Sequence, residues 1–447
     1  MIQKENKLLS ILFIFPEGNI ANNPNFLSII LLLDEKYKIY IIQQREKIDY
    51  INENINIISL NNLTNEKCFN EYLQKINSDF SSVLFSLIIC VDQGIIFGNY
   101  LSNLLNVPKA YISYEIMFAD EWEQTLKKKE IIACKDVSFA ICQDTTRSYL
   151  LSKENNIPAS RIINIPVAEA FSETFDKSNK YLHNKLNIPL NKKIVLYMGS
   201  IGQWSMTNSL IESVHDWPED WVLVLHPRYG IDSSVTPLIE KINKNSNIYL
   251  SEEPVFYTYE MENIISSCDL GIALYDPDIL SPNTGKNILF IGLSSGKFSM
   301  FMKYKIPVLV NNNTNISDFV SQFNLGYVFS CIKEIKTILV NSDIAACKND
   351  CEIFFKKYLD FNLYKDILLK IIEKAILNGN AEHYIKNNFQ INNLINDKRL
   401  ENNYNSFLTI IKKQENIIKN YEYLNKNLII NKIKRKIKNI IGTKTKD

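Results

Sequence analysis

The sequence is poor in the residues that mark several common classes of protein. It has only four histidines in 447 residues, and its eight cysteines form no C-x-x-C pair, so no zinc site can be proposed. The formal net charge is +1, which gives no overall case for nucleic acid as a partner. No apolar run approaches the roughly 20 residues needed to span a bilayer. No G-x-G-x-x-G motif follows a strand pattern, which argues against dinucleotide oxidoreductase chemistry.

The cysteines and the first residues predict a cytoplasmic protein. Cys90 and Cys142 sit in apolar, strand-like contexts, which is typical of buried free thiols in a reducing compartment. The apolar run Leu8–Phe15 follows two lysines and superficially resembles a signal peptide. It is short, however, and Pro16 follows it with no small-residue cleavage site, so we interpret it as a first buried strand.

Two blocks of the sequence alternate apolar strand patterns with helical patterns. Such alternation indicates parallel sheets covered by helices on both faces. In the first block, strands are predicted at Leu8–Phe15, Lys38–Gln43, Ser82–Cys90, Ala110–Tyr114, Val137–Cys142 and Ile162–Ile165. In the second block, they are predicted at Lys193–Met198, Trp221–Leu225, Ile248–Leu250, Leu270–Leu274 and Val308–Val310.

The predicted fold class is α/β, with two Rossmann-like, doubly wound parallel-sheet domains that face a central cleft and a C-terminal helical extension. We place the first domain at residues 1–172 and a polar linker at 173–190, where the alternation stops. The second domain covers 191–345, closing helices cover 346–378, and an Asn/Lys-rich helical tail covers 379–447. Two such domains place a ligand cleft at the carboxyl ends of their strands.

The most informative segment of the second block is the loop Gly292–Lys297, which runs into a helix of about three turns. A loop that leads into a helix N-terminus offers unpaired N–H groups and the positive end of the helix dipole, which suit a phosphate. Ser294 and Ser295 can cap this helix. Lys297 adds a cation where the dipole disfavours one, and a bound anion would explain it. The alternative is an ordinary capped helix with a solvated lysine.

Three further loops follow neighbouring strands of the second block and converge on the same crevice. Gly199–Gly202 are small residues that let a ligand approach the backbone closely. His226 and Arg228 follow the next strand, where Arg228 with Lys297 would neutralise a pyrophosphate. Tyr275 opens the third loop. Asp276 and Asp278 in that loop could hold a divalent cation, but we favour a turn in which they cap and solvate.

At these residues the sequence resembles the nucleotide-sugar-binding half of GT-B-fold glycosyltransferases. It most resembles the large, mostly retaining bacterial family 4, in which a Ser-x-Lys-Leu-x-Glu-Tyr-x-x-x-Gly-x-Pro-Val pattern is common. The residues that match this pattern in register are Lys297, Phe298, Phe301, Pro307 and Val308. In the first domain, similar segments are Tyr111–Ile116, Val137–Asp144 with Arg147, and Arg161–Pro166. The resemblance covers about residues 1–375.

The resemblance implies transfer of a sugar from a nucleotide-diphosphate donor to a cell-surface glycan, glycolipid or glycoprotein. It also implies retention of configuration, no metal and no cofactor beyond the donor, with electrostatic stabilisation of the leaving diphosphate. We assign that stabilisation to Arg228 and Lys297. Glu115 is the candidate for positioning the acceptor or accepting its proton, with Glu17 and Asp92 as alternatives. The predicted donor site comprises Gly199, Ser200, Gly202, His226, Arg228, Tyr275, Ser294, Ser295, Gly296 and Lys297.

Two residues depart from the family pattern. Met300 occupies the position of the usual glutamate that binds the nucleotide ribose, and Lys305 occupies that of the helix-ending glycine. A nucleotide-sugar epimerase or phosphotransferase on the same fold is one alternative. A non-catalytic accessory protein or dimer partner is another, and Met300 supports it because a thioether is a poor acceptor for ribose hydroxyls.

The predicted tail ends in a basic amphipathic pattern over residues 428–441. Its isoleucines lie on one face and its lysines and Arg435 around the other, as in helices that lie on membrane surfaces. The pattern predicts peripheral attachment to the inner face of the plasma membrane, near a lipid-linked acceptor. A solvated helix and a self-associating helix, which would give a homodimer, are the alternatives.

Deletion of residues 420–447 is expected to move the protein from the membrane fraction to the supernatant, because it removes the whole basic amphipathic face. Fractionation of cells that express the full chain or the truncated chain measures this. An unchanged distribution would show that the tail does not attach the protein to the membrane.

Overall fold

The computed structural model describes residues 9–17, 20, 23–44, 55–80, 83–170, 180–227, 236–252, 259–278 and 281–388. All of them belong to one compact unit that ends at Ile391. The predicted phosphate ligand Arg228 and the predicted amphipathic helix over 428–441 lie outside the described residues. Within the described part of the chain, no helix is long and apolar enough to cross a membrane.

The first domain is built on a seven-stranded parallel sheet. Its strands are β1 (Ser10–Phe15), β2 (Lys38–Gln43), β3 (Asn56–Ser59), β4 (Phe85–Val91), β5 (Lys109–Ile112), β6 (Ala140–Cys142) and β7 (Ile162–Asn164). Their order in the sheet is β3-β2-β1-β4-β5-β6-β7. The sequence did not predict β3, an edge strand of four residues of which only one is fully buried. Its mixed exposure gives no continuous apolar run of the kind that marks the central strands.

Five helices connect these strands and cover both faces of the sheet. They are α1 (Pro24–Asp34), α2 (Phe69–Asp79), α3 (Gly94–Leu105), α4 (Gln124–Cys134) and α5 (Thr145–Asn155). Two of them have side-chain caps of the expected kind. The Asn23 side chain accepts a hydrogen bond from the Phe26 N–H at the start of α1, and the Asp144 side chain accepts one from the Arg147 N–H at the start of α5.

The second domain is built on a six-stranded parallel sheet. Its strands are β8 (Lys193–Gly199), β9 (Trp221–Pro227), β10 (Ile248–Leu250), β11 (Leu270–Ala273), β12 (Val308–Asn311) and β13 (Gly326–Phe329). Their order is β10-β9-β8-β11-β12-β13, so β13 is the second edge strand that the sequence did not predict. Two parallel, helix-covered sheets confirm the predicted fold class.

The helices between Lys180 and Ser342 belong to this second part of the chain, and the first of them falls inside the predicted linker. They are α6 (Tyr181–Lys185), α7 (Thr207–Ser213), α8 (Thr236–Asn243), α9 (Tyr259–Ser266), α10 (Lys286–Leu289), α11 (Gly296–Lys303), α12 (Ile316–Phe323) and α13 (Glu334–Asn341). The helix after the Gly292–Lys297 loop is α11. It has eight residues, little more than two turns, so it is shorter than the sequence predicted.

The last described helices join the two domains. They are α14 (Ile344–Phe354), α15 (Lys365–Asn378) and α16 (Glu382–Asn388). On α14, the Phe354 ring packs edge-on against Phe298 of α11, with ring centroids 6.0 Å apart. On α15, Leu368, Ile371 and Ile372 are fully buried in the core of the first domain. The chain therefore returns to its first sheet after completing the second.

In each sheet, the strand order reverses beside one central strand. β1 lies between β2 and β4, and β8 lies between β9 and β11. At such a point the connections that follow two adjacent strands leave in opposite directions and open a crevice at the carboxyl edge. Glu17 and Asp92 follow β1 and β4, while Gly199 and Tyr275 end or follow β8 and β11. The fold thus brings the predicted loops to two crevices at strand ends.

Gly271→Ala is expected to destabilise the second domain by about 1–3 kcal/mol, because it overpacks the contact that supports α11. A Cβ at Gly271, in β11, would lie 2.5 Å from the Phe301 ring of α11. Urea denaturation of Gly271→Ala, Phe301→Leu and the double variant measures the effect. In the double variant, the smaller leucine is expected to recover part of the free energy of unfolding that Gly271→Ala loses. If the losses of the two single variants simply add up in the double variant, the Phe301 ring does not press on this strand.

Candidate functional site

A cleft of about 290 Å³ opens at the carboxyl ends of both sheets. One wall comes from the loops after β1, β4 and β5. The other comes from the end of β9, the loops after β8 and β11, and the start of α11. Nine of the predicted site residues line it: Glu115, Gly199, Ser200, His226, Tyr275, Ser294, Ser295, Gly296 and Lys297. Residues far apart in sequence are therefore gathered into one site.

The two remaining predicted residues are Arg228 and Gly202. Arg228 lies outside the described residues. Gly202 does not line the cleft but belongs to the turn that carries Trp204, where its N–H donates to Ser205 Oγ over 3.1 Å. Its predicted contact with the donor has no support in this geometry. Trp204 does line the cleft, although it was not among the residues predicted from the sequence.

The Lys297 ammonium lies among three aromatic rings. Its Nζ is 4.7 Å from the centroid of the Tyr275 ring, 5.1 Å from that of Tyr197 and 5.9 Å from that of Trp204. Tyr275 and Trp204 are nearly parallel, with ring planes 15° apart. Cation–π attraction to these faces offsets the unfavourable helix dipole and holds the charge on the wall of the cleft.

Backbone and hydroxyl groups surround this cation. A Cβ on Gly199 would lie 3.5 Å from Lys297 Nζ, so the glycine keeps the β8 backbone close to the charge. Ser295 Oγ accepts a hydrogen bond from the Phe298 N–H over 3.2 Å, which caps α11 as predicted. The same oxygen lies 2.6 Å from the Tyr275 hydroxyl. Ser294 does not share the capping role, because its hydroxyl donates to the Ile291 carbonyl.

His226, the second-last residue of β9, lies on the same wall. Its side chain is 1% exposed, and Nδ1 lies 3.0 Å from Ser251 Oγ, which fixes the orientation of the ring.

The two aspartates of the loop after β11, Asp276 and Asp278, do not line the cleft. Asp276 Oδ1 accepts from the Asn313 amide, and the Asp278 N–H donates to the Thr284 carbonyl. The capping role of these aspartates stays a prediction. Among the described residues, no group of three or more His, Cys, Asp or Glu could hold a metal ion.

The opposite wall carries three carboxylates at the ends of neighbouring strands. Glu17, Asp92 and Glu115 follow β1, β4 and β5 and all line the cleft. Asp92 Oδ1 accepts hydrogen bonds from the N–H groups of Tyr114 (2.8 Å) and Glu115 (2.9 Å), so this carboxylate shapes the loop that presents Glu115. Glu115 and its two predicted alternatives, Glu17 and Asp92, therefore lie together on one wall of the cleft.

Burial and mutual repulsion raise the pKa values of two members of this group. Glu115 reaches the cleft surface, yet the surrounding protein raises its pKa to about 7; Arg147 opposes the shift and the charge of Glu17 adds to it. Burial likewise raises the pKa of Asp92 well above its ordinary range, although the two N–H donors act against this. A carboxyl group that titrates near neutral pH is suited to accepting and returning a proton.

The two residues that depart from the family pattern, Met300 and Lys305, lie in α11 and just after it, as the sequence predicted. Met300 is 4% exposed and lines the cleft one turn into α11, beside Lys297. Lys305 follows the helix with φ of +62°, the left-handed conformation that glycine adopts most easily. Its ammonium pairs with Glu352 of α14. Met261 lies on the same wall, so methionine side chains line part of it.

No protein-family model matches this sequence, and no curated protein matches it. The fold is nonetheless shared with solved structures. HepE of Anabaena, in complex with UDP and glucose, is 12% identical and has a TM-score of 0.64 over 82% of this chain and 100% of its own. WaaG, a glycosyltransferase involved in lipopolysaccharide biosynthesis, is 13% identical, with a TM-score of 0.57 over 80% of this chain and 99% of its own.

An enzyme of another class has a similar structure. The UDP-GlcNAc 2-epimerase of Methanocaldococcus jannaschii is 13% identical, with a TM-score of 0.51 over 75% of this chain and 94% of its own. Identities this low show the fold alone, and on that basis the chain has the GT-B fold, as the sequence predicted. Its similarity to family 4 in particular stays a prediction.

Glu115→Gln is expected to raise the melting temperature by about 1–3 °C at pH 8.5 and to leave it unchanged at pH 4.5. A pKa of about 7 in the folded protein, above the ordinary 4.5, means that ionisation of Glu115 opposes folding. This loss of stability begins as the pH rises through 4.5 and is complete above 7. Thermal melts at both pH values measure it.

Glu219→Gln, at an exposed glutamate before β9, is the matched control, because it removes a charge without changing the cleft. Equal shifts for Glu115→Gln at the two pH values would contradict the electrostatic account.

Proposed function

We propose that this protein is a glycosyltransferase that moves a sugar from a nucleotide-diphosphate donor to a hydroxyl group of a cell-surface glycan, glycolipid or glycoprotein. The observation that carries the proposal is the polarity of one cleft. Lys297 and the N-terminus of α11 lie on one wall, and the Glu115 carboxyl lies on the other. Such a cleft suits an anionic leaving group on one side and a proton-bearing acceptor on the other.

On the donor side, Lys297 and the first N–H groups of α11 stabilise the diphosphate as negative charge develops on it. Gly199 and Ser200 lie at the end of β8, where the backbone approaches the ammonium closely. Ser294, Ser295, Gly296, Tyr275 and His226 complete the wall. Arg228 stays the predicted second cation. HepE, which shares the fold, was solved with UDP and glucose, so a UDP-sugar is the first donor to test.

On the acceptor side, Glu115 accepts the proton of the attacking hydroxyl group. The bond from the anomeric carbon to the diphosphate oxygen breaks, and a bond from that carbon to the acceptor oxygen forms. The electron pair of the broken bond leaves with the diphosphate, next to Lys297. Retention of configuration is a further part of the proposal, taken from the resemblance, and it requires the acceptor oxygen to attack the anomeric carbon from the same face that the diphosphate leaves. Independence from metal, taken from the resemblance, and a place at the inner membrane face, taken from the tail sequence, are also part of it.

Two alternatives have specific support. One is an epimerase, because the epimerase from Methanocaldococcus jannaschii shares the fold. An epimerase would act on the nucleotide sugar alone and would need no acceptor. Met300 in the cleft favours an accessory protein without catalysis, since its thioether is a poor hydrogen-bond acceptor for the hydroxyl groups of a nucleotide ribose. The two alternatives differ from the leading proposal in what the protein binds and what it releases.

A UDP-sugar is expected to raise the melting temperature in a panel of UDP-, GDP-, dTDP- and CDP-sugars, because a ligand stabilises the state that binds it. The gain is about 2.7 kcal/mol at a concentration 100 times the Kd. Lys297→Met, which keeps the stem among the aromatic rings, is expected to abolish the shift. Lys336→Met, at an exposed lysine of α13, is the matched control.

Each outcome selects one reading. Failure of every nucleotide to shift the melting temperature would favour the accessory protein, and full binding by Lys297→Met would remove Lys297 from the site. Conversion of a UDP-sugar into its epimer without an acceptor would favour the epimerase. Nuclear magnetic resonance of the product's anomeric proton tests retention, and a chelator in the assay tests metal independence.

A further inference from the structure

A buried seam of hydrogen bonds connects the two domains directly beneath the cleft. On the first-domain side it comprises residues 114–121 and 143–147, and on the second-domain side residues 285–293. Glu115 lies within the first of these segments, and Ser294–Lys297 follow the last one. The seam therefore contains or directly adjoins, in sequence, both candidate catalytic groups.

Asn287 forms the centre of the seam. It is 3% exposed, and both ends of its amide bind the backbone of Ile116, the residue after Glu115. Asn287 Oδ1 accepts from the Ile116 N–H over 2.8 Å, and Asn287 Nδ2 donates to the Ile116 carbonyl over 2.8 Å. This pair of bonds fixes both the position and the rotation of that peptide.

Arg147 supports the same loop from below. Its guanidinium is 1% exposed and donates to the Tyr114 carbonyl over 2.6 Å and to the Phe290 carbonyl over 3.2 Å. Nε donates to Gln143 Oε1 over 2.8 Å, which holds the guanidinium plane in place. One side chain thus joins the residue before Glu115 to the end of α10 in the other domain.

Two glycines of the second domain provide space for carboxylates of the first. Asp144 Oδ2 accepts from the Leu293 N–H over 3.0 Å, and a Cβ on Gly292, where φ is +40°, would lie 2.3 Å from that oxygen. Glu121 Oε1 accepts from the Lys286 N–H over 2.8 Å. A Cβ on Gly285 would lie 2.4 Å from it. Both contacts require glycine, and each places a carboxylate at a backbone N–H group.

We propose that this seam sets the position of Glu115 relative to Lys297, with Asn287 as its principal positioning residue. Groups that react across a cleft must be held to within a fraction of an ångström, so a fixed seam preorganises the site. The consequence for catalysis rests on the proposed function, whereas the mechanical role of the seam does not. Asn287 acts through Ile116 and Glu115, and it need not touch a substrate.

Hydrogen exchange followed by mass spectrometry tests the mechanical role without any ligand. The N–H groups of Ile116, Lys286 and Leu293 each donate to a side chain of the other domain, so they report opening of the seam directly. Asn287→Leu removes both bonds at similar volume. It is expected to speed exchange in the peptides containing these three residues at least tenfold.

Asn311→Leu is the matched control. Asn311 is 2% exposed and clamps the Tyr275 backbone with the same two bonds, of 3.0 and 2.7 Å, inside the second domain. Its loss is expected to leave the Ile116 peptide protected. Asn287→Asp keeps an acceptor for the Ile116 N–H beside Arg147, so it is expected to retain more protection than Asn287→Leu. Unchanged exchange at Ile116 in Asn287→Leu would overturn the proposal.

If Asn287→Leu does not fold, Gly285→Ala gives an independent test, because its Cβ must displace the Glu121 carboxylate. The Lys286 peptide is then expected to exchange faster, and unchanged exchange there would equally count against the seam.

Turnover of a bound nucleotide sugar tests the consequence for catalysis. Asn287→Leu is expected to lower kcat at least tenfold and to change KM for the donor less than threefold, because the donor contacts lie on one domain. Glu382→Gln breaks an ion pair of α16 with Arg161 away from the cleft and is expected to keep kcat. A normal kcat in Asn287→Leu would contradict the positioning role. If no nucleotide binds at all, the proposed function fails while the exchange result still stands.

Discussion

The site depends on hydrogen bonds that are buried between two domains, each of which has its own hydrophobic core. Each sheet is complete without the other, so nothing in either core determines how the two carboxyl edges face each other. We attribute that orientation to the seam, where Asn287 binds the Ile116 backbone and Arg147 donates to the Phe290 carbonyl of the other domain. Interfaces between domains are commonly polar and mobile, whereas this one has bidentate contacts at nearly inaccessible groups. The cleft is consequently a property of the pair of domains.

The two walls of the cleft carry opposite charges, a lysine on one and carboxylates on the other. Lys297 opposes the dipole of its own helix, and three aromatic rings offset that conflict. On the other wall, desolvation by the surrounding protein raises the pKa of Glu115 to about 7, and the charge of Glu17 adds to this shift. Each wall thus stores an unfavourable charge arrangement, and a ligand with an anionic end beside a hydroxyl-bearing partner would relieve both. Such conflict between local stability and structure is typical of functional sites.

The sequence predicted most of the central strands and the loops that follow them, because buried parallel strands are continuous apolar runs and their loops share one edge. It missed β3 and β13, which are short edge strands with partly exposed residues. It also missed Tyr197 and Trp204 around Lys297, since they lie 100 and 93 residues before it and such contacts leave no local pattern in a sequence. Asp144 and Arg147 were visible as part of a motif, but their partners in the second domain appear only when both domains are folded.

The return of α15 to the first sheet has a consequence for biosynthesis. Leu368, Ile371 and Ile372 complete a core whose other members begin at Ile11. A ribosome must therefore release the whole second domain, and then these helical turns, before the first domain can bury its last apolar face. Until then the nascent chain exposes a hydrophobic surface of the kind that chaperones recognise. In this protein the domain translated first is the one completed last.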